Sequence, residues 1–170
     1  MPEPLKGETI TYTFPTATAD SNSAYSTTAL LALFESNPIV TAVTETSKCY
    51  AGKSGIKLGS SKAVGSFTIT LDTTAGACET ITFGMSKYGS ETGKLVFTIV
   101  LSDDTKAVDA QQVDPSTGTV TFDVNGVIKS ITVATIQKRA YLSSMELQMA
   151  YVAPVTPEAV IAILPKKELL

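Results

Sequence analysis

The chain has 170 residues, 17% of them charged, a formal net charge of −3 and no histidine. That length builds one domain with a core of its own and no metal staple, and the weakly acidic balance excludes a broad nucleic-acid surface. The missing histidine removes the commonest general base, the histidine-dependent serine triad and most zinc sites, and no apolar run of about 18 residues marks a membrane span.

Residues 1–7 form an extended lead with Pro2 and Pro4. MPEPLKGET lacks an apolar h-region, so no export signal is expected in this chain. The domain is expected over 8–152. Its first strand is Glu8–Phe14, with Ile10, Tyr12 and Phe14 on one face, and Pro15 stops it because proline cannot donate to a ladder. A polar loop over Thr16–Thr27 follows. Thr28–Glu35 has helical spacing at Leu30, Leu31, Leu33 and Phe34, with Thr27 or Thr28 as its cap, and Asn37-Pro38 ends it. A helix this short is stable only when packed on a sheet.

Ile39–Thr46 returns to β-branched residues. Ala51-Gly52-Lys53-Ser54 resembles half of a phosphate loop. The full motif needs a glycine where Ser47 stands and a helix afterwards, and a strand follows instead, so nucleotide binding is not expected. Gly55–Leu71 organises the chain: a short strand (Ile56 to Leu58), a small-residue turn (Gly59 to Gly65) and a second strand (Ser66 to Leu71) read as a strand pair. Phe67, Ile69 and Leu71 alternate there with Ser66, Thr68 and Thr70.

Glu79–Ser86 is a strand with Ile81, Phe83 and Met85 inward. Lys94–Leu101 is apolar on both faces, which marks a strand covered on both sides or one at an interface. Asp103, Asp104 and Thr105 make a turn. Thr119–Val124 and Val127–Val133 flank Asn125-Gly126, which reads as a type I′ hairpin. Arg139–Tyr151 is the last long strand, with Tyr141, Ser143, Met145, Leu147, Met149 and Tyr151 expected on one face. About eight or nine strands with one minor helix point to an antiparallel jelly-roll β-sandwich.

Residues 153–170 form a tail punctuated by Pro154, Pro157 and Pro165. Thr156 is placed to cap a short helix there. Val160, Ile161 and Leu164, with Leu169 and Leu170 beyond, form an apolar set that either folds back on the sandwich or docks on a neighbouring subunit as a helix in a groove.

Cys49 and Cys78 allow one disulfide; the alternative is two free thiols that pack as small apolar side chains. The carboxylates Asp72, Glu79, Asp103, Asp104, Asp109, Asp114 and Asp123 mostly sit at turns, where aspartate bonds locally. No pair stands out as a catalytic acid and base, so no enzyme activity, metal or cofactor is expected. A calcium ion on Asp103 and Asp104 is the alternative to a solvated turn. For sugar contact the candidate stacking rings are Tyr25, Tyr50 and Tyr88, with Lys53, Lys87 and Asn22 as polar companions. The competing reading of each tyrosine is an edge-of-core ring with a wet hydroxyl.

The runs IKLGSSKAVGSFTITL, ETITFGMSKYGS and KRAYLSSMELQMAY resemble the galactose-binding-like β-sandwich modules on surface and secreted proteins of gut anaerobes. The resemblance covers about residues 8–152 and rests on Lys57–Ser61, Gly65–Leu71, Lys87–Gly89 and Tyr151. It implies a non-catalytic carbohydrate-binding or adhesion domain and carries over no ligand residue. The lone module, the missing export signal and the apolar tail resemble instead a phage capsid decoration or head-fibre protein. The expected role is therefore a virion-surface structural module whose partners are neighbouring protein subunits. The alternative is an exported carbohydrate-binding module at a bacterial surface, with glycans as partners.

Overall fold

The computed structural model describes residues 5–154, and the tail residues Val160, Ile161, Leu164, Leu169 and Leu170 lie outside the described residues. Alternation of large apolar residues with threonine and serine builds eleven strands. They are β1 (Thr9–Thr13), β2 (Val40–Ser47), β3 (Cys49–Gly52), β4 (Gly55–Leu58), β5 (Ser66–Leu71) and β6 (Cys78–Lys87). Next come β7 (Lys94–Leu101), β8 (Lys106–Val113), β9 (Thr119–Gly126), β10 (Ile128–Ile136) and β11 (Ala140–Met149).

One antiparallel sheet runs β3-β4-β11-β6-β9, and the other runs β2-β5-β10-β7-β8. Strand β1 pairs with residues 144–148 of β11, while β4 pairs with residues 140–142. From β4 to β11 the order is first-eighth-third-sixth in one sheet and second-seventh-fourth-fifth in the other. That is the strand order of a jelly roll, as the sequence implies.

The core lies between the sheets. Phe67, Ile69, Ile81, Phe83, Leu95, Phe97, Ile131, Val133, Met145 and Leu147 all face inward and are buried. Phe83 and Phe97 meet across the two sheets with ring centroids 4.4 Å apart. Helix α1 (Thr27–Ala32) packs beside β2 and buries Leu30. Phe34, just past it, packs edge-on against Tyr12 at 5.2 Å and Phe14 at 5.3 Å. The cap is Ser26 rather than Thr27 or Thr28: its Oγ accepts the Ala29 N–H at 3.1 Å. The helix starts one residue earlier than the apolar stripe suggests.

Two expected hairpins are corner crossings instead. Strands β4 and β5 belong to opposite sheets, and so do β9 and β10 around Asn125-Gly126. Asn125 does take a left-handed φ of 50°, as a primed turn requires, but Gly126 has no positive φ. The turn chemistry permits a tight hairpin, and the need to cover both halves of the core overrides it. Sequence reading also misses β3 and β8. Strand β8 (KAVDAQQV) is an edge strand with one buried residue, Val108, so it carries almost no periodic signal.

Strand β11 departs from simple alternation. Its register with β6 shifts between Leu142 and Ser144. Ala140 and Leu142 point inward before the bulge, and Met145, Leu147 and Met149 after it. Tyr141 is thereby turned to the outer face, opposite to the face shared by Met145, Leu147 and Met149.

Both cysteines are free and buried. Burial pushes each thiol up to about 11, so little thiolate exists near neutral pH. Native protein is expected to resist iodoacetamide at pH 8 and to label at both positions in denaturant. Rapid labelling of the folded chain would contradict this packing.

Candidate functional site

The cross-strand register sets a row on the outer face of the β11 sheet. Tyr50 pairs with Lys57, Lys57 with Tyr141, and Tyr141 with Ser86. The flanking positions Tyr88 and Arg139 lie two residues beyond Ser86 and before Tyr141, and they complete the cluster. The Lys57 Nζ lies 4.5 Å from the Tyr50 ring centroid and 5.9 Å from that of Tyr88. The Arg139 guanidinium stacks on Tyr88 at 3.9 Å, and Tyr88 and Tyr141 are 5.6 Å apart.

Two carboxylates fasten this cluster. Glu91 accepts from Arg139 Nε at 3.1 Å, from Arg139 N–H at 3.1 Å and from its terminal nitrogen at 2.6 Å. Those bonds hold the Glu91 carboxyl below the usual carboxylate range. Asp20 accepts the Tyr141 hydroxyl at 2.9 Å and the Lys53 backbone N–H at 2.8 Å. Burial first, and then Asp20, raises the Tyr141 phenol. Asp20 sits in a loop laid over the sheet by bonds from Ala17 N–H to the Gly52 carbonyl and from Ser21 N–H to the Ala51 carbonyl.

Of the sugar-contact candidates, Tyr50 and Tyr88 come together here. Tyr50 is only 7% exposed with Lys57 over its face, so it is not an open stacking ring. Tyr88 is half-buried, and Arg139 covers one of its faces. Tyr25 packs half-buried against the core. The Lys53 side chain, Lys87 and Asn22 are exposed, and neither Lys53 nor Lys87 joins an ion pair among the described residues. Asp103 closes its own turn by accepting from Thr105, and Asp104 pairs with Lys129 at 2.6 Å. No metal-binding group of three or more acidic, cysteine or histidine side chains occurs among the described residues.

Sequence reasoning misses Asp20, Lys57, Glu91, Arg139 and Tyr141. One signal was present: Lys57 is a charged residue inside the otherwise buried strand β4. Lys57, Tyr88, Arg139 and Tyr141 also lie within the three runs on which the family resemblance rests.

A second surface is the outer face of the β10 sheet. Its rows are Ser66–Ala134–Val96, Thr68–Thr132–Thr98 and Thr70–Ser130–Val100. All these central positions are half-buried and none is charged, while the edge strands bring Glu45 beside Thr68 and Lys106 beside Val100. The Thr68 and Thr132 hydroxyls bond each other at 2.8 Å. The corresponding face of the β11 sheet carries Glu146 and Asp123. Among the described residues strand β7 is thus covered on one side only: Leu95, Phe97 and Ile99 are in the core, and Val96 and Val100 stand on the outer surface.

Fold and surface define a jelly-roll β-sandwich with a cation–tyrosine cluster on one sheet and an uncharged central patch on the other. No protein-family model matches the sequence, and no curated protein is similar to it. Among solved structures, an isomalto-dextranase of Arthrobacter globiformis T6 complexed with panose is similar at 14% identity, with a TM-score of 0.37. The alignment covers 62% of this chain and 20% of that enzyme.

Proposed function

We infer that the chain is a non-catalytic structural subunit that packs on a neighbouring copy of itself through the outer face of the β10 sheet. The setting we assign is the surface of a virion, in the manner of a capsid decoration or head-fibre protein. The supporting observation is the uncharged grid around Thr132. Val96 and Val100 give β7 an apolar outer side that no layer of the described residues covers, and the uncharged centre of this face meets its own copy without like-charge repulsion there. The apolar residues Val160, Ile161 and Leu164 of the tail support the virion setting. In that setting the tail is the docking arm.

Sedimentation velocity tests this. The full chain is expected to self-associate, and Thr132→Lys and, separately, Val96→Glu are expected to weaken association by about tenfold or more, since a charge at the centre of the contact must be desolvated. Wild-type protein that stays monomeric at high concentration, or variants that associate as well as the parent, would overturn the reading.

A further inference from the structure

We propose that the groove around Pro38, at the end of the sandwich where β11 leaves and β2 begins, receives tail residues 160–167 of a neighbouring copy. This rests on the tail being the docking arm, and it names the surface on which the arm lands. Exposed apolar surface gathers at that end. Leu5, Tyr151 and Val152 are 69%, 44% and 76% exposed. Val64, in the turn at the opposite end, is the other exposed large apolar residue among the described residues. Single exposed apolar residues are ordinary, whereas three beside one cleft make a patch.

The cleft encloses about 570 Å³ and is lined by Ile10, Ile39, Met149 and Tyr151. At Pro38 it meets a second groove of about 350 Å³ along Leu31, Phe34 and Val40. The two together form one apolar track past the start of β2. Glu8, Glu35 and Asp72 stand along it against a single cation, Lys6. None of these four joins an ion pair among the described residues.

Tail residues 160–167 (VIAILPKK) match this track in pattern and in charge. At helical spacing Val160, Ile161 and Leu164 share one face, the pattern of a helix laid in an apolar groove. The segment carries two cations, Lys166 and Lys167, and no acid, so it complements the acidic rim. The sequence also sends the arm outward rather than back into its own cleft. A residue before proline favours extended backbone, which applies to Ala153 and Thr156. Residues 153–170 contain no glycine, asparagine or aspartate to reverse the chain. An arm sent outward from one copy reaches the groove of another. Each copy carries both arm and groove, so the contact is an exchange between subunits.

A mixed sample of the full chain tests this. In equal parts, some copies carry isotope-labelled Ile, Leu and Val methyls and no tag. The others are unlabelled and carry a nitroxide on Ala162→Cys, the native thiols being buried. The Leu31, Ile39 and Val40 methyls are expected to lose most of their signal to the tag, and Val64 none. Leu164→Glu in the tagged copy, a change outside the sandwich, is expected to weaken the contact about tenfold or more, because a carboxylate replaces an apolar anchor. Thr132→Lys is expected to leave the signal loss in place, which separates this contact from the β10 face. Four results would overturn the assignment. These are no signal loss up to about 1 mM chain, loss only when tag and labels share one chain, loss unchanged by Leu164→Glu, and loss that disappears with Thr132→Lys. The second would mean that the tail folds back on its own subunit, and the last that its proximity is a by-product of face packing.

Discussion

Phe97→Ala is expected to lower the free energy of unfolding by about 4 kcal/mol, with Val96→Ala costing less than about 1 kcal/mol. The two residues are chain neighbours with the same strand backbone, so the contrast isolates packing. Phe97 is fully buried and meets Phe83 at 4.4 Å and Phe122 at 5.4 Å. Its removal leaves a cavity between two sheets, each stiffened by its own β-ladders, so collapse fills it only in part. Val96 loses methyls on a half-exposed face. Urea unfolding checks both, and equal losses would mean that β7 is not arranged with Phe97 inward.

Gly55→Ala is expected to cost about 3 kcal/mol or more, or to prevent folding. Gly55 opens β4 with a φ of +115°, a conformation that L side chains rarely adopt. A Cβ there would run into the Leu142 carbonyl oxygen and stand 2.8 Å from Ser143 Cα. The contact is backbone against the bulge in β11, so no side chain can swing aside. A comparison keeps the cause clear. Gly89 also has a positive φ, of 55°, but a Cβ there meets nothing within 4 Å, so Gly89→Ala is expected to cost about 1 kcal/mol. If the two substitutions cost the same, close approach is not what requires Gly55. The stake extends to the cluster, because β4 carries Lys57 and pairs it with Tyr141.

The sequence shows the fold class because alternation is local. Phe67, Ile69 and Leu71, or Ile81, Phe83 and Met85, declare an inner face without reference to any other strand. Strand partnership is not local. Asn125-Gly126 carries hairpin chemistry, yet β9 and β10 part to opposite sheets. The β11 bulge is likewise invisible: one extra residue near Ser143 turns Tyr141 outward, and the cluster depends on that turn. Tyr50 and Tyr88 were legible as aromatic candidates because they sit at strand ends. Lys57 was not legible as their centre, since only the β3–β4–β11–β6 register brings residues 50, 57, 141 and 86 into one row.

The most direct test of the packing role follows the Val96 and Val100 methyl resonances in the presence of a soluble paramagnetic agent, as protein concentration rises. The account predicts that both methyls are relaxed strongly in dilute protein and become shielded on association. Val64, which is 50% exposed and lies in the Gly59–Gly65 turn, stays accessible throughout. Methyls of Val96 and Val100 that remain as accessible at high concentration as in dilute solution would contradict the account.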